Sequence, residues 1–130
     1  MTLVEGFMKF ADEQQLNKED IFTQKDEGYT LISFGEEGET DVVYNVMLIL
    51  YDDNNVAEII IRKVINTSDM FDVLKRVNEL NFDYRGLTYF ATEGIISVKT
   101  HVEAHGDIEV VLKQMIQTMR VASEEFSKFN

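Results

Sequence analysis

The sequence predicts an α+β domain: an antiparallel five- or six-stranded sheet with helices packed mainly on one face, in the order α-β-β-β(-β)-α-β-β-α. Three observations predict it. Apolar residues recur at helical spacing in three separate segments, at the start, middle and end of the chain. Short extended runs rich in β-branched and aromatic residues lie between them. The turns joining those runs are too short for crossover helices, which makes neighbouring strands antiparallel. No internal repeat, low-complexity tract or linker interrupts the 130 residues, so 1–130 reads as a single domain, long enough to bury a core.

The elements follow in order. Residues 2–16 place Leu3, Val4, Phe7, Met8, Ala11 and Leu16 at helical spacing, with Glu5, Lys9, Asp12 and Glu13 elsewhere on the wheel. IFTQ at 21–24 and YTLISF at 29–34 are extended runs flanking the turn KDEG. The acidic loop GEEGETD, with Glu36, Glu37, Glu39 and Asp41, reads as a solvated turn; a calcium site needs a tighter oxygen set at fixed spacing. VVYNVMLILY at 42–51 and VAEIIIRKVI at 56–65 form a hairpin around DDNN, where Asn54 and Asn55 tolerate positive φ. A second helix is expected with Ser68 as N-cap, Asp69 and Asp72 in its first turn, and a stripe of Phe71, Leu74, Val77 and Leu80. LTYFAT at 87–92 and IISVKTHV at 95–102 form another hairpin around Glu93–Gly94. The last helix starts from Asp107, its expected N-cap. It runs one apolar face through Ile108, Val111, Leu112, Met115, Met119, Ala122, Phe126 and Phe129.

Composition narrows the function classes. Hydrophobic residues make up 45% and charged ones 28%, an ordinary globular balance. No apolar run approaches the length of a membrane span, and the N-terminal stretch lacks the pattern of a signal peptide. There is no cysteine, hence no disulfide, thiolate ligand or thiol nucleophile. A cytoplasmic location is expected. The net charge is −12, with 24 acids against 12 bases. That balance serves solubility, repels a phosphate backbone, and would suit a partner with basic segments. No nucleic acid and no membrane are expected as partners.

HVEAHGD at 101–107 is the most chemical-looking stretch, with two histidines four apart. Zinc proteases put such a pair on one helical face, with the glutamate directly after the first histidine. Here His101 ends a strand and His105 lies in the turn before the last helix, so the pair does not share a helical face. Chelation by the bent chain, with Glu103 or Asp107, is the competing reading; the expectation is no metal and no cofactor. The seven glycines are scattered, mostly at turns, and form no phosphate loop. The serines lack a nucleophile-elbow context, and Asp52–Asp53 sit in an exposed turn. No catalytic residue is assigned and no enzyme activity is expected.

The DDNN hairpin carries more information. Pairing residue 50 with 57, 48 with 59 and 46 with 61 puts Val46, Leu48, Leu50, Ala57, Ile59 and Ile61 on one core-facing side. The other side then holds Met47 opposite Ile60, Ile49 opposite Glu58, Asn45 opposite Arg62 and Tyr51 opposite Val56. A sheet covered on one side only is normally polar on the other. Here Met47, Ile49, Tyr51, Val56 and Ile60 form an apolar stripe that something should cover. Either a helix of the same chain, such as the first, lies on it, or it is a partner-binding or subunit surface.

The second half of the chain adds a resemblance. The helix FDVLKRVNELNF, the hairpin LTYFATEGIISVKTHV and a long final helix together resemble the YbjN-like family, described as bacterial sensory transduction regulators with a type III secretion chaperone-like fold. The stretch Asn78-Glu79-Leu80-Asn81-Phe82 leading into an aromatic strand is its most telling part, and the motifs cover about residues 68–130. The resemblance implies a non-enzymatic α+β protein, homodimeric and working through protein contacts, and it supplies no catalytic residues. The expectation is therefore a protein-interaction module, chaperone-like or regulatory, with a protein partner. The alternative is a small-ligand sensor whose pocket lies between sheet and helices, lined by Phe, Tyr and Met.

Overall fold

The computed structural model describes residues 1–37, 43–65, 69–92 and 94–129. Three helices and six strands follow the expected order: α1 (Leu3–Glu13), β1 (Phe22–Lys25), β2 (Tyr29–Glu37), β3 (Val43–Tyr51), β4 (Val56–Val64), α2 (Met70–Asp83), β5 (Thr88–Thr92), β6 (Ile95–Glu103) and α3 (Ile108–Phe126), with a 3₁₀ turn at Lys18–Asp20. The fold is α+β, with an open antiparallel sheet in the order β1-β2-β3-β4-β6-β5.

The β3–β4 register is the expected one: Leu50 pairs with Ala57, Leu48 with Ile59 and Val46 with Ile61. Strand alternation sends these six side chains to one face, where all are buried. All three helices pack on that face. Phe7 of α1 stacks on Phe34 of β2, whose partner on β3 is Val46. Phe126 of α3 packs against Tyr44 and Tyr89, and Val77 and Leu80 of α2 join the same cluster. Burying one such Ile or Leu contributes about 1.5–3 kcal/mol.

Local chemistry sets the helix ends. Thr2 and Glu5 close a capping box at α1, each side chain taking the other's backbone N–H. The helix stops at Glu13, because Gln15 turns into the left-handed region (φ 57°), and Leu16 stays exposed instead of continuing the apolar face. Asp107 caps α3 as expected, accepting from the Glu109 N–H. At α2 the N-cap is Asp69, which accepts from the Asp72 N–H; Ser68, the expected cap, lies outside the described residues. Of the acidic loop, residues 35–37 belong to β2, and the remainder, 38–41, lies outside the described residues.

The turn DDNN ties distant parts together. Asn54 has positive φ (62°), and its side-chain oxygen accepts from the Leu3 N–H at 3.0 Å. Its carbonyl accepts from Gly106 N–H, and that of Asn55 from Ala104 N–H. One hairpin turn therefore holds the start of α1 and the bend that leads into α3. Gly6 lets those helices approach: a Cβ there would stand 2.8 Å from the Ile108 side chain.

The expected stripe of α2 divides between two sides of the helix. Val77 and Leu80 are buried, but Phe71 and Leu74 face solvent. Steps of three residues fall short of a turn and drift by about 60° each. Four such residues therefore sweep half the wheel and cannot share one face. The buried line is instead Val73, Val77 and Leu80, the straight i, i+4, i+7 series.

Candidate functional site

No described helix lies on the second face of the sheet. Alternation along β3 places Asn45, Met47, Ile49 and Tyr51 there, and along β4 Val56, Glu58, Ile60 and Arg62. The five residues expected to bind a partner, Met47, Ile49, Tyr51, Val56 and Ile60, thus share one face, and all are half-buried. The first helix does not cover them, because α1 packs on the opposite face through Leu3, Phe7 and Ala11.

The apolar area is wider than the hairpin. On β2, Leu31 pairs with Ile49, and Tyr29 pairs with Tyr51 with their rings 6.2 Å apart. Ser33 pairs with Met47 and, on its other side, with Phe22 of β1, which is 57% exposed. One row across the sheet therefore reads Phe22, Ser33, Met47, Ile60, Lys99, and the next reads Leu31, Ile49, Glu58, His101. Leu31 of that second row pairs on its other side with Gln24 of β1, so apolar side chains predominate on β2 and β3, and charge enters already on β4, at Glu58 and Arg62, before Lys99 of β6. These outer members of the patch need the β1–β2–β3 register, which turn lengths alone do not give.

Two polar groups border the apolar area. Tyr51 donates its hydroxyl to Glu58 Oε1 at 2.8 Å, and Lys99 Nζ stands 3.4 Å from Glu58 Oε2. Glu58 is only 8% exposed even though no described element covers this face. The bond to Glu58, then burial, pushes the Tyr51 hydroxyl pKa up. On the far side, Arg62 donates twice to Asn45 Oδ1 (3.2 and 2.9 Å), and Asn45 donates to Ser33 Oγ at 3.0 Å. Glu58, already paired with Lys99 within the sheet, can be covered by a partner without being left as an orphan charge, whereas Arg62, among the described residues, is bonded only to a neutral amide and suits the rim.

The two histidines go to different carboxylates. His101 Nε2 lies 3.7 Å from Glu58 Oε1, and His105 Nε2 lies 3.9 Å from Glu103 Oε2. His105 itself has positive φ (48°) in the bend before α3. Among the described residues, no three His, Asp or Glu side chains converge as a metal set. Nor is any described helix long and apolar enough to cross a membrane.

A polar cluster lies on the covered face. Glu125 of α3 is buried and accepts from Arg76 Nη2 (3.0 Å), Tyr84 Oη (2.8 Å) and Lys128 Nζ (3.2 Å). Burial pushes its pKa up, but the bonds from Tyr84, Lys128 and Arg76 outweigh this and hold it below the ordinary carboxylate value. Nearby, Tyr89 is buried with a hydroxyl that makes no hydrogen bond among the described residues. Burial pushes that hydroxyl's pKa far up. A surface cleft of about 330 Å³ opens where the α2–β5 connection meets β6 and α3. Arg85, Leu87, Thr100, Gln114, Thr118 and Val121 are among its lining residues, and no Phe, Tyr or Met is.

No family model, curated protein or solved structure matches the chain.

Proposed function

We propose that the protein is a non-enzymatic interaction module, chaperone-like or regulatory, acting in the cytoplasm. Its open sheet face takes up an apolar segment of another protein. The observation that carries this reading is the apolar half of that face, centred on Met47, Ile49 and Ile60 and left uncovered by α1, α2 and α3. These side chains are half-buried, and a contiguous apolar strip that no described helix covers marks a contact surface. The paired border groups supply a polar rim, as interfaces have. The net charge of −12 disfavours nucleic acid as the occupant and favours a protein segment with basic flanks. The resemblance of the second half to the YbjN-like family belongs to this reading and points the same way.

The test is affinity capture from the source lysate, read by mass spectrometry, with the Met47→Asp/Ile60→Asp double variant as control. A specific protein held by wild type and lost from a variant of unchanged melting temperature is the expected result. The purified pair should then bind with the same dependence. Equal capture by both proteins would remove the sheet face from the proposal.

A further inference from the structure

The cleft of about 330 Å³ between the α2–β5 turn, β6 and α3 differs in chemistry from the open sheet face. Among the described residues that line it, only Arg85 is charged and none is acidic, although the chain holds 24 acids against 12 bases. The Arg85 side chain is exposed and makes no ion pair or hydrogen bond among the described residues. The base of the cleft is also polar. Along β6 the inward line reads Ile96, Val98, Thr100 and Val102, and only Thr100 in it carries a polar group. Thr100 is 7% exposed and Thr118 of α3 is 1% exposed. Thr100 Oγ donates to the Gly86 carbonyl at 2.8 Å and so fixes the turn that presents Arg85, where Gly86 takes positive φ (81°). Thr118 Oγ donates to the Gln114 carbonyl at 2.8 Å and accepts from Gln114 Nε2 at 3.2 Å.

We propose that this cleft binds a short aliphatic hydroxy acid, with Arg85 taking its carboxylate. A guanidinium offers two N–H groups side by side and pairs with a carboxylate through both. Both threonine hydroxyls have given their protons to carbonyls, so what they retain is lone pairs. Gln114 Oε1 is likewise an acceptor, with no bond among the described residues. The cleft thus sets acceptors beside one cation, and a hydroxyl on the ligand supplies the matching donor. An ammonium group would call for a carboxylate, and none lines the cleft among the described residues. Leu87 and Val121, both half-buried, give an aliphatic wall. With no Phe, Tyr or Met among the described lining residues, the cleft offers no ring on which a base or aromatic group would stack.

The net charge of −12 opposes an anion in general, and the local charges decide the matter. Exposed charges are screened beyond about 8 Å at physiological ionic strength. At about 1.5 Å per residue, Lys113 and Arg120 stand about 6 and 4.5 Å along α3 from Gln117 of the cleft, whereas Glu109 and Glu124 of the same helix stand about 12 and 10 Å away. Lys113 and Arg120 have no ion pair among the described residues. Asp83, close before Arg85 in the chain, is not paired with it. The volume suits a compact ligand, since small-molecule sites run from about 300 to 1,000 Å³. The cleft lies on the helix-covered side, so the proposal does not depend on what the open sheet face binds.

Titration of the full chain with α-hydroxyisocaproate, followed by backbone amide NMR shifts, tests the proposal. Shifts should centre on Arg85, Gly86, Thr100, Gln114 and Thr118, with a Kd of about 1 mM or tighter. The carboxamide of the same compound keeps the hydroxyl and loses the charge, and should bind about ten-fold more weakly or worse. Isocaproate keeps the acid and loses the hydroxyl, and should bind about three-fold more weakly or worse. Arg85→Gln should lose about ten-fold or more in affinity with an unchanged melting curve. Lys75→Gln and Met47→Asp/Ile60→Asp should bind as wild type does. Absence of shifts at the cleft at about 10 mM ligand overturns the proposal, as does an Arg85→Gln variant that binds like wild type. Equal binding of acid and carboxamide overturns it without recourse to any variant. Equal binding of α-hydroxyisocaproate, isocaproate and inorganic phosphate would make the cleft a general anion site and overturn the hydroxy acid assignment.

Discussion

The two faces of the central hairpin carry almost the same chemistry and meet different surroundings. Val46, Leu48, Ile59 and Ile61 are sealed under three helices, whereas Met47, Ile49 and Ile60, their immediate chain neighbours, lie on a face with no described helix. Hydrophobicity on β3 and β4 therefore does two things. On one side it is sealed and holds the domain together; on the other it is only half-buried and is available for a contact. Exposure of apolar area, rather than its presence in a strand, separates the two roles.

The sharpest way to break this contrast is a matched truncation of adjacent residues. Ile59→Ala opens a cavity under the helices and should cost about 2–5 kcal/mol. Ile60→Ala, one position along, should cost about 1 kcal/mol or less in the isolated protein. Urea denaturation of both variants decides it. Equal losses would mean that the open face is packed in solution, by a partner copy or otherwise.

The covered side also carries a pH signature. Glu125 has a folded pKa below its unfolded value of about 4.3. Its contribution is therefore complete above that pH and is lost as pH falls through the lower folded value. Glu125→Gln should cost about 1.5–3 kcal/mol at neutral pH, leaving Arg76 and Lys128 without the carboxylate. The gap between variant and wild type should close as pH drops below about 4, which melting across a pH series measures. A gap independent of pH would mean that the carboxylate charge is not what Tyr84, Arg76 and Lys128 hold.

Where the covered face ends, at edge strand β5, one side chain does the work of a missing strand. Asn81 satisfies both backbone groups of Tyr89. Asn81→Leu should cost about 1–2 kcal/mol and leave an exposed edge for strand pairing. Accelerated hydrogen exchange at the Tyr89 amide, with aggregation on heating, is the expected readout. Unchanged exchange there would show that the edge is protected by something else.

How legible all this was in the sequence depends on range. The β3–β4 register follows from four turn residues and a period of two, so both faces of that hairpin could be assigned from the chain alone. Glu58 beside Lys99 and His101 could not, because it requires β4 to lie next to β6 with α2 and β5 intervening in sequence. The outward turn of Phe71 and Leu74 was in principle readable. Spacing by three looks apolar and helical, yet only the i, i+4, i+7 line keeps to one face. Asn81 reads in sequence as one polar residue among several on a helix; its role appears only once α2 is seen beside the sheet edge.

The smallest expected effect separates the faces by sign. Tyr51 lies on the open face and Tyr89 on the covered one, and Tyr→Phe removes one hydroxyl from each. At Tyr51 the hydroxyl is a donor to a nearly buried carboxylate, so Tyr51→Phe should cost about 0.5–1.5 kcal/mol. At Tyr89 the hydroxyl is buried without a bond among the described residues, while its ring packs on Tyr84 and Phe126. Tyr89→Phe keeps that ring and removes a desolvated polar atom, so stability should hold or rise slightly. Thermal melts of the two variants, run side by side, read the difference. A loss at Tyr89 matching that at Tyr51 would mean its hydroxyl is bonded in solution. The covered face would then contain a second satisfied polar site beside Glu125.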